Sequence, residues 1–339
     1  MQLFEHYSLK SFNTFGMDVY ARYFGAFSTG DELAWLLGLP EFATHPPFIL
    51  GGGSNILFRG NVENLVLKNE IRGIEKVNED NDHVYIKAGA GENWHHFVSH
   101  CIEQDWAGLE NLSLIPGNVG ASPMQNIGAY GVEVKDVFHS LEALDLEEKT
   151  TRTFYREECE FGYRESIFKR KYKGRFAILS VTFRLDKTPR YHTSYGAITQ
   201  ELANMGVREL SIQAISQAVI NIRSSKLPDP AVIGNAGSFF KNPEVSAAKE
   251  QQLRENFPGI VSYPLANGNY KLAAGWLIEQ CGWKGYRDGD AGVHERQALV
   301  LVNYGQATGE EIYRLSERIE ESIREKFGVT LEREVNIYP

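Results

Sequence analysis

Ile115-Pro-Gly-Asn-Val-Gly-Ala-Ser-Pro-Met-Gln-Asn-Ile-Gly-Ala-Tyr-Gly131 holds four glycines, two prolines and no charged residue. A core strand or helix does not tolerate that much Gly and Pro. A surface linker of this length is normally more polar. The stretch therefore reads as a neutral loop held in a defined shape, presenting backbone N–H and C=O groups to a large, flat or phosphorylated ligand. Gly51-Gly-Gly-Ser-Asn55 follows a short apolar run, Pro47-Phe-Ile-Leu50, and reads as the other half of that cradle. Three glycines allow close backbone approach to a pyrophosphate, and Ser54 and Asn55 add donors. The alternative is a structural strand-to-loop turn. The Gly-Lys-Ser/Thr ending of a P-loop is absent.

Outward from these loops the pattern is mixed. Strands are expected at 47–50, 64–67, 83–88, 134–146, 176–183 and 298–302. Trp94, Phe97, Val98, Cys101 and Ile102 predict a helix over 92–106, and Ile212, Ile215, Val219 and Ile222 predict another. A last helix starts at Thr308 with Glu311 completing a capping box, and stops at Gly328. Leu331 to Ile337 alternates as a terminal strand, with Glu334 opposite Val335 and Ile337. Strands and helices without regular βα alternation predict an α+β fold.

The 339 residues carry a net charge of −9. That field argues against a general nucleic-acid or membrane-surface binder. The basic run Lys169–Arg175 reads as a solvated hairpin edge. Cys101, Cys159 and Cys281 lack metal or disulfide spacing and suit a reducing compartment. The first thirty residues lack the apolar core of a signal peptide, and no run is long enough to span a membrane. A cytoplasmic protein is expected, with no metal. His96 and His100 have ligand spacing, but they face away from the apolar stripe and no third ligand is apparent.

Gly89-Ala-Gly91 invites a dinucleotide-fold reading, but Trp94 occupies the third glycine position, leaving a strand-to-helix turn. Gly162-Tyr-Arg-Glu-Ser166 offers an arginine for a carboxylate or phosphate, against a default of a surface ion pair. In Gly234-Asn-Ala-Gly-Ser-Phe-Phe-Lys-Asn-Pro243 a hydroxyl, Ser238, sits between a glycine and two aromatics. No nucleophile elbow surrounds it, so a proton-donating hydroxyl or an ordinary turn remains.

Taken in order, these segments with Ala274–Glu279 and Glu334 resemble the UDP-N-acetylenolpyruvoylglucosamine reductases of peptidoglycan synthesis. The inserted Tyr191-His-Thr-Ser-Tyr-Gly196 resembles the loop of the longer class, in which a tyrosine folds over the substrate. The resemblance covers nearly the whole chain. It implies an FAD-binding fold of the vanillyl-alcohol-oxidase type, made of two α+β subdomains, and a C-terminal α+β substrate-binding domain. The divisions are expected at 1–70, 71–210 and 211–328, with 329–339 returning to the first part. It implies non-covalent FAD reduced by NADPH, and an enolpyruvyl sugar nucleotide reduced in turn.

Carried over residue by residue, FAD would lie against Gly51, Gly52, Gly53, Ser54, Asn55, Ile115, Pro116, Gly117, Gly120, Ala121, Ser122, Gln125, Asn126, Gly128, Ala129 and Tyr130. Arg164 and Glu334 would hold the substrate carboxylate, and Ser238 would donate the proton. Tyr195 and Lys226 would bind the diphosphate, with Tyr163, Asn242, Tyr263 and Gln297 as further substrate contacts. Gly52 stands where relatives often carry an acidic residue. A small-molecule substrate and a monomer are expected. Two other readings are an oxidase of the same fold and a non-catalytic nucleotide-binding protein.

Overall fold

The computed structural model describes residues 2–39 and 47–339. The chain folds into two compact units that interleave in sequence. One comprises Met1–Tyr7, Ala21–Gly52 and Val62–Ser225; the other comprises Ser8–Tyr20, Gly53–Asn61 and Lys226–Pro339. The glycine turn at 51–55 thus straddles a unit boundary.

The first unit is built on two sheets. In the smaller, Val62–Asn69 lies parallel to both Tyr20–Phe27 and Phe48–Leu50, the strand that leads into the glycine turn. The larger is antiparallel, in the order Thr151–Tyr155, Phe138–Asp145, Phe176–Asp186, His83–Gly89, Ile74–Glu79. The helix Trp94–Glu103 packs its apolar stripe on this sheet. Trp94, Phe97, Val98, Cys101 and Ile102 are all buried, and Phe97 meets Phe183 at 4.8 Å between ring centroids. Asn93 caps the helix by accepting from the His96 amide at 3.0 Å. The second expected helix spans Ile212–Lys226 and packs Ile215, Val219 and Ile222 against Ile198 and Leu202 of the helix Gly196–Asn204.

One expected strand begins later than its apolar residues suggest. Val134–Val137 is a helical turn, and the strand starts at Phe138. The reason is a capping box: Asp136 accepts from the Glu133 amide at 2.8 Å, which closes the turn before extended pairing can begin. The basic run is not a hairpin edge. It forms the turn before Phe176–Asp186, where Arg170 pairs with Glu160 at 3.0 Å and Arg175 with Asp145 at 2.9 Å.

The second unit carries an antiparallel sheet in the order Gly234–Ser238, Val300–Asn303, Ala291–Val293, Arg287–Asp288. The long helix Gly309–Phe327 has the expected caps: Thr308 and Glu311 exchange capping bonds, and Gly328 is left-handed with φ +61°. Gly309 is required by packing, since a Cβ there would lie 1.8 Å from the Phe58 carbonyl oxygen. The regular terminal strand is shorter than its alternation suggests. Asn336–Tyr338 runs parallel to Ile56–Phe58, while Arg333 makes a single bridge to Phe240.

Among the described residues no helix is long and apolar enough to cross a membrane, and no cluster of three or more His, Cys, Asp or Glu could hold a metal.

Candidate active site

In the first unit the neutral loop is fastened to the turn before the Trp94 helix. Gly117 accepts from the Trp94 amide at 3.0 Å, and the Gly120 amide donates to Ala90 at 2.9 Å. Asn118 donates to the Gly91 carbonyl at 2.8 Å. Gly120 has to be glycine, because a Cβ would lie 2.6 Å from that of Ala90. Gly89-Ala-Gly91 is therefore the platform of the loop. Gly52 approaches the same loop backbone to backbone: its Cβ would sit 2.7 Å from Asn118 Oδ1 and 2.8 Å from Gly117 Cα. Nearby, Lys68 Nζ donates to the Gly51 carbonyl. Burial depresses the Lys68 ammonium, with Glu70 opposing and Arg72 reinforcing the shift.

Further along, Asn126 is fully buried with φ +44°. Its amide donates to Glu133 at 3.1 Å and to the Gly162 carbonyl at 3.0 Å, and its oxygen accepts from the Lys135 amide at 3.0 Å. Its side chain thus braces the loop from inside. The Ser166 hydroxyl braces it from outside, donating to the Met124 carbonyl at 2.6 Å. Ser122 differs: its hydroxyl is buried and, among the described residues, has no hydrogen-bond partner.

Arg164, in the left-handed region at φ +52°, reaches the same loop; its Nη2 donates to the Gly128 carbonyl at 2.7 Å. Tyr163 beside it is exposed. Tyr130, at φ +50°, packs edge-on against Tyr195 at 5.5 Å. Burial raises the Tyr130 phenol, with Arg223 working against the rise and Tyr195 adding to it. Arg223 escaped the sequence reading. It lies in the Ile212–Lys226 helix and donates from Nε to the Leu114 carbonyl at 3.1 Å, directly before the loop. Burial lowers its guanidinium, with the neighbouring Arg164 also contributing.

In the second unit, Gly234 crosses the Phe15 carbonyl so closely that a Cβ would lie 2.2 Å from its oxygen. Asn235 pins this crossing, donating to Pro228 and Ile233 carbonyls at 3.2 and 2.8 Å and accepting from the Gly237 amide at 3.0 Å. Gly237 has φ +72°. Here the strand bulges: Asn235 pairs with Val302 and Ser238 with Val300. The bulge re-aims Ser238 next to the buried Phe239 and Phe240.

The Phe239 amide donates to Leu299 at 2.7 Å, and the Phe239 carbonyl accepts from the Glu334 amide at 2.8 Å. The Glu334 carbonyl in turn accepts from Asn55 Nδ2 at 3.3 Å. Asn55, Ser238 and Glu334 are thereby gathered through one backbone network. Gly53 is fixed in it by φ +64° and by a site where a Cβ would fall 1.9 Å from the Phe12 oxygen.

Asn242 Oδ1 accepts from the Ala274 amide at 2.9 Å, and Gln297 accepts through its backbone carbonyl from Val300 at 3.0 Å. Both are therefore anchored. Tyr263 and Lys226 lie on the exposed surface of this unit.

Residues 229–338 match the family model described as the C-terminal domain of UDP-N-acetylenolpyruvoylglucosamine reductase, and residues 26–153 match an FAD-binding domain. The UDP-N-acetylenolpyruvoylglucosamine reductase of Pseudomonas putida is 53% identical over 98% of each chain. The chain belongs to the UDP-N-acetylenolpyruvoylglucosamine reductase family. The family's proteins from Amoebophilus asiaticus, 53% identical over 99% of each chain, and Pseudomonas aeruginosa, 51% identical over 100% of this chain and 99% of that one, agree. The solved reductase from Thermus caldophilus shares the fold at a TM-score of 0.67 and 24% identity, covering 100% of this chain and 98% of that one.

The chain is accordingly an FAD-dependent oxidoreductase of α+β fold. Its loops fit that cofactor: Gly52 brings bare backbone against the neutral loop, and the buried Ser122 hydroxyl, without a partner among the described residues, is left for a ligand to satisfy.

Proposed function

We propose that this protein reduces UDP-N-acetylglucosamine enolpyruvate to UDP-N-acetylmuramate with electrons from NADPH, in the synthesis of peptidoglycan. It acts in the cytoplasm as a monomer, and its FAD is held without a covalent bond. The vanillyl-alcohol-oxidase type of fold and the three-part division at 70 and 210 belong to this reading. Alongside family membership, the observation that carries it is the network joining Asn55, Ser238 and Glu334, which sets a hydroxyl and a carboxyl on one braced element.

The flavin is held by the glycine turn at 51–55 and by the loop from Ile115 to Tyr130. Gly52, Gly117 and Gly120 contribute close backbone approach; Ser122 and Gln125 contribute side-chain hydrogen bonds; Asn126 contributes rigidity. Hydride transfer is the chemistry that bound FAD supplies.

On the protein's side, charge arriving on the enolpyruvyl group spreads into its carboxylate. Arg164 stabilises that enolate more than the starting acid, which lowers the barrier and not merely the binding energy. Ser238 Oγ delivers the proton to the enolate carbon, which is basic enough to take it from a weakly acidic hydroxyl. Glu334 lies beside a carboxylate in this reading, where two like charges cannot easily both ionise, so it acts protonated or hydrogen-bonded. Tyr195 and Lys226 take the diphosphate; Tyr163, Asn242, Tyr263 and Gln297 orient the remainder.

The test is anaerobic. NADPH bleaches the yellow protein, and the enolpyruvyl sugar nucleotide restores the colour. A colourless preparation that takes up no FAD, or a flavin that NADPH leaves oxidised, overturns the reading. Recovery of colour with oxygen and not with the sugar nucleotide makes the protein an oxidase.

A further inference from the structure

A cavity of about 200 Å³ opens in the first unit, and its charged lining comprises His83, Asp136, Arg184, Asp186, Arg190 and His192. None of these residues has a place in the flavin or substrate reading above. The two carboxylates are engaged. Asp186 faces His83 Nε2 at 3.4 Å and Arg190 Nε at 3.8 Å. Asp136 accepts the Glu133 amide at 2.8 Å. Among the described residues Arg184 has no carboxylate partner, while His192 faces the buried Glu110 carboxylate. The uncommitted charge of the cavity lining is therefore the Arg184 guanidinium, in a chain whose net charge is −9.

Arg184 also lines an adjoining cavity of about 270 Å³ whose wall includes Phe138, His139 and Tyr155. His139 stands edge-on to Tyr155 at 6.2 Å and to Tyr85 at 5.0 Å, and Tyr85 pairs with Arg184 across the strands. A planar cation between a polar cavity and one walled by aromatic rings beside Arg156 and Glu157 matches a phosphate with a flat ring attached.

The polar cavity lies at the root of the segment bearing Tyr195. The Asn111 amide donates to the His192 carbonyl at 2.8 Å and to the Tyr130 carbonyl at 3.0 Å. Val132, on the cavity wall, follows Tyr130 by two positions. Tyr195 follows His192 by three, and its ring meets that of Tyr130. Arg190 has an 84% exposed side chain and faces Asp186 at 3.8 Å, so a bound anion competes with that carboxylate for its guanidinium.

We infer that this cavity binds a phosphate group, free or carried on a nucleotide, and that its occupancy fixes the root of the Tyr195 segment. The consequence for catalysis rests on Tyr195 being a substrate contact; binding and fixation do not. By linkage, an anion that orders this root alters affinity for whatever Tyr195 touches, and the converse holds.

The flavin-loaded protein is titrated by calorimetry with inorganic phosphate and with adenosine monophosphate at constant ionic strength, as wild type and as Arg184→Gln. Saturable binding is expected, weakened about tenfold or more in the variant, as for loss of a charge-assisted contact. Trypsin cleavage after Arg190 is followed in parallel, and ligand is expected to slow it in wild type only. Tighter binding of the nucleotide, reduced by Tyr155→Ala, assigns the phosphate to a nucleotide; equal binding assigns it to the free ion. Absence of saturable binding, or equal binding by Arg184→Gln, overturns the site. Binding without protection at Arg190 overturns its action on the segment. Neither readout needs turnover, so failure here is distinct from failure of the proposed reaction.

Discussion

The amide of Glu334 donates to the carbonyl of Phe239 at 2.8 Å, which pairs the end of the chain with the residue next to Ser238. Phe240 and Arg333 form the next bridge of the same antiparallel pairing, and Lys241 and Glu332 join across it by an ion pair. The hydroxyl and the carboxyl assigned to proton delivery and carboxylate binding are thus placed by backbone bonds, not by loops free to move. Placement of this kind is what a positioned acid requires, because its contribution depends on geometry before acidity.

Gly52→Ala tests the flavin cradle. The new methyl would lie 2.7 Å from Asn118 Oδ1 and 2.8 Å from Gly117 Cα, so one of the two loops has to move. Overpacking of this kind costs about 1–3 kcal/mol. The expected result is protein purified with less flavin per chain and a lower melting temperature, both read by absorbance. Full flavin content with unchanged melting would show that the close approach does not serve cofactor binding.

Arg164→Lys tests the enolate clamp. Arg164 donates through Nη2 to Gly128 at 2.7 Å, which fixes the orientation of its planar fork. Lysine offers a point charge without that orientation. Turnover is expected to fall about tenfold or more, as for loss of a charge-assisted hydrogen bond of roughly 1.5–3 kcal/mol. Flavin reduction by NADPH should change little. Near-normal turnover with the sugar nucleotide would remove Arg164 from the carboxylate site.

The cysteines give a pH-dependent expectation. Burial raises the Cys101 thiol far above its ordinary range, and it pushes Cys159 up to about 12, helped by Glu158 and Glu157. Cys281, half-buried, is raised chiefly by burial too. A raised pKa means a protonated thiol at neutral to mildly basic pH, and the protonated form does not attack. A disulfide reagent should therefore leave Cys101 and Cys159 unmodified in the folded protein near pH 8, with any slow reaction at Cys281, and titrate all three after denaturation. Rapid native modification of Cys101 or Cys159 would contradict their placement in the core.

Local chemistry made much of the fold legible. Thr308, Glu311 and Gly328 mark a helix by satisfying its own ends, so its limits follow without knowledge of neighbours. Asn93 and the Trp94 stripe do the same for the helix beneath the loop. Glu133 and Asp136 carry an equally local signal, which the apolar residues around Val134 and Val137 obscured.

The site is less legible, because its relations are distant. Asn55 and Glu334 lie 279 positions apart and meet only in the fold. Arg223 sits on a helix whose apolar stripe could be read, yet nothing local says that its guanidinium turns to Leu114. Asn126 looks like a cofactor ligand by composition; its three hydrogen bonds into the protein give its side chain a bracing role instead.

The central claim is that Ser238 serves the second half of the reaction and not the first. Stopped-flow measurement of both half-reactions in Ser238→Ala tests it most directly. NADPH should bleach the flavin at the wild-type rate, and reoxidation by the enolpyruvyl sugar nucleotide should slow by about 10²–10⁴-fold, the range for loss of a general acid. Wild-type reoxidation, or equal slowing of both half-reactions, would contradict it and leave Ser238 a structural residue of the bulge.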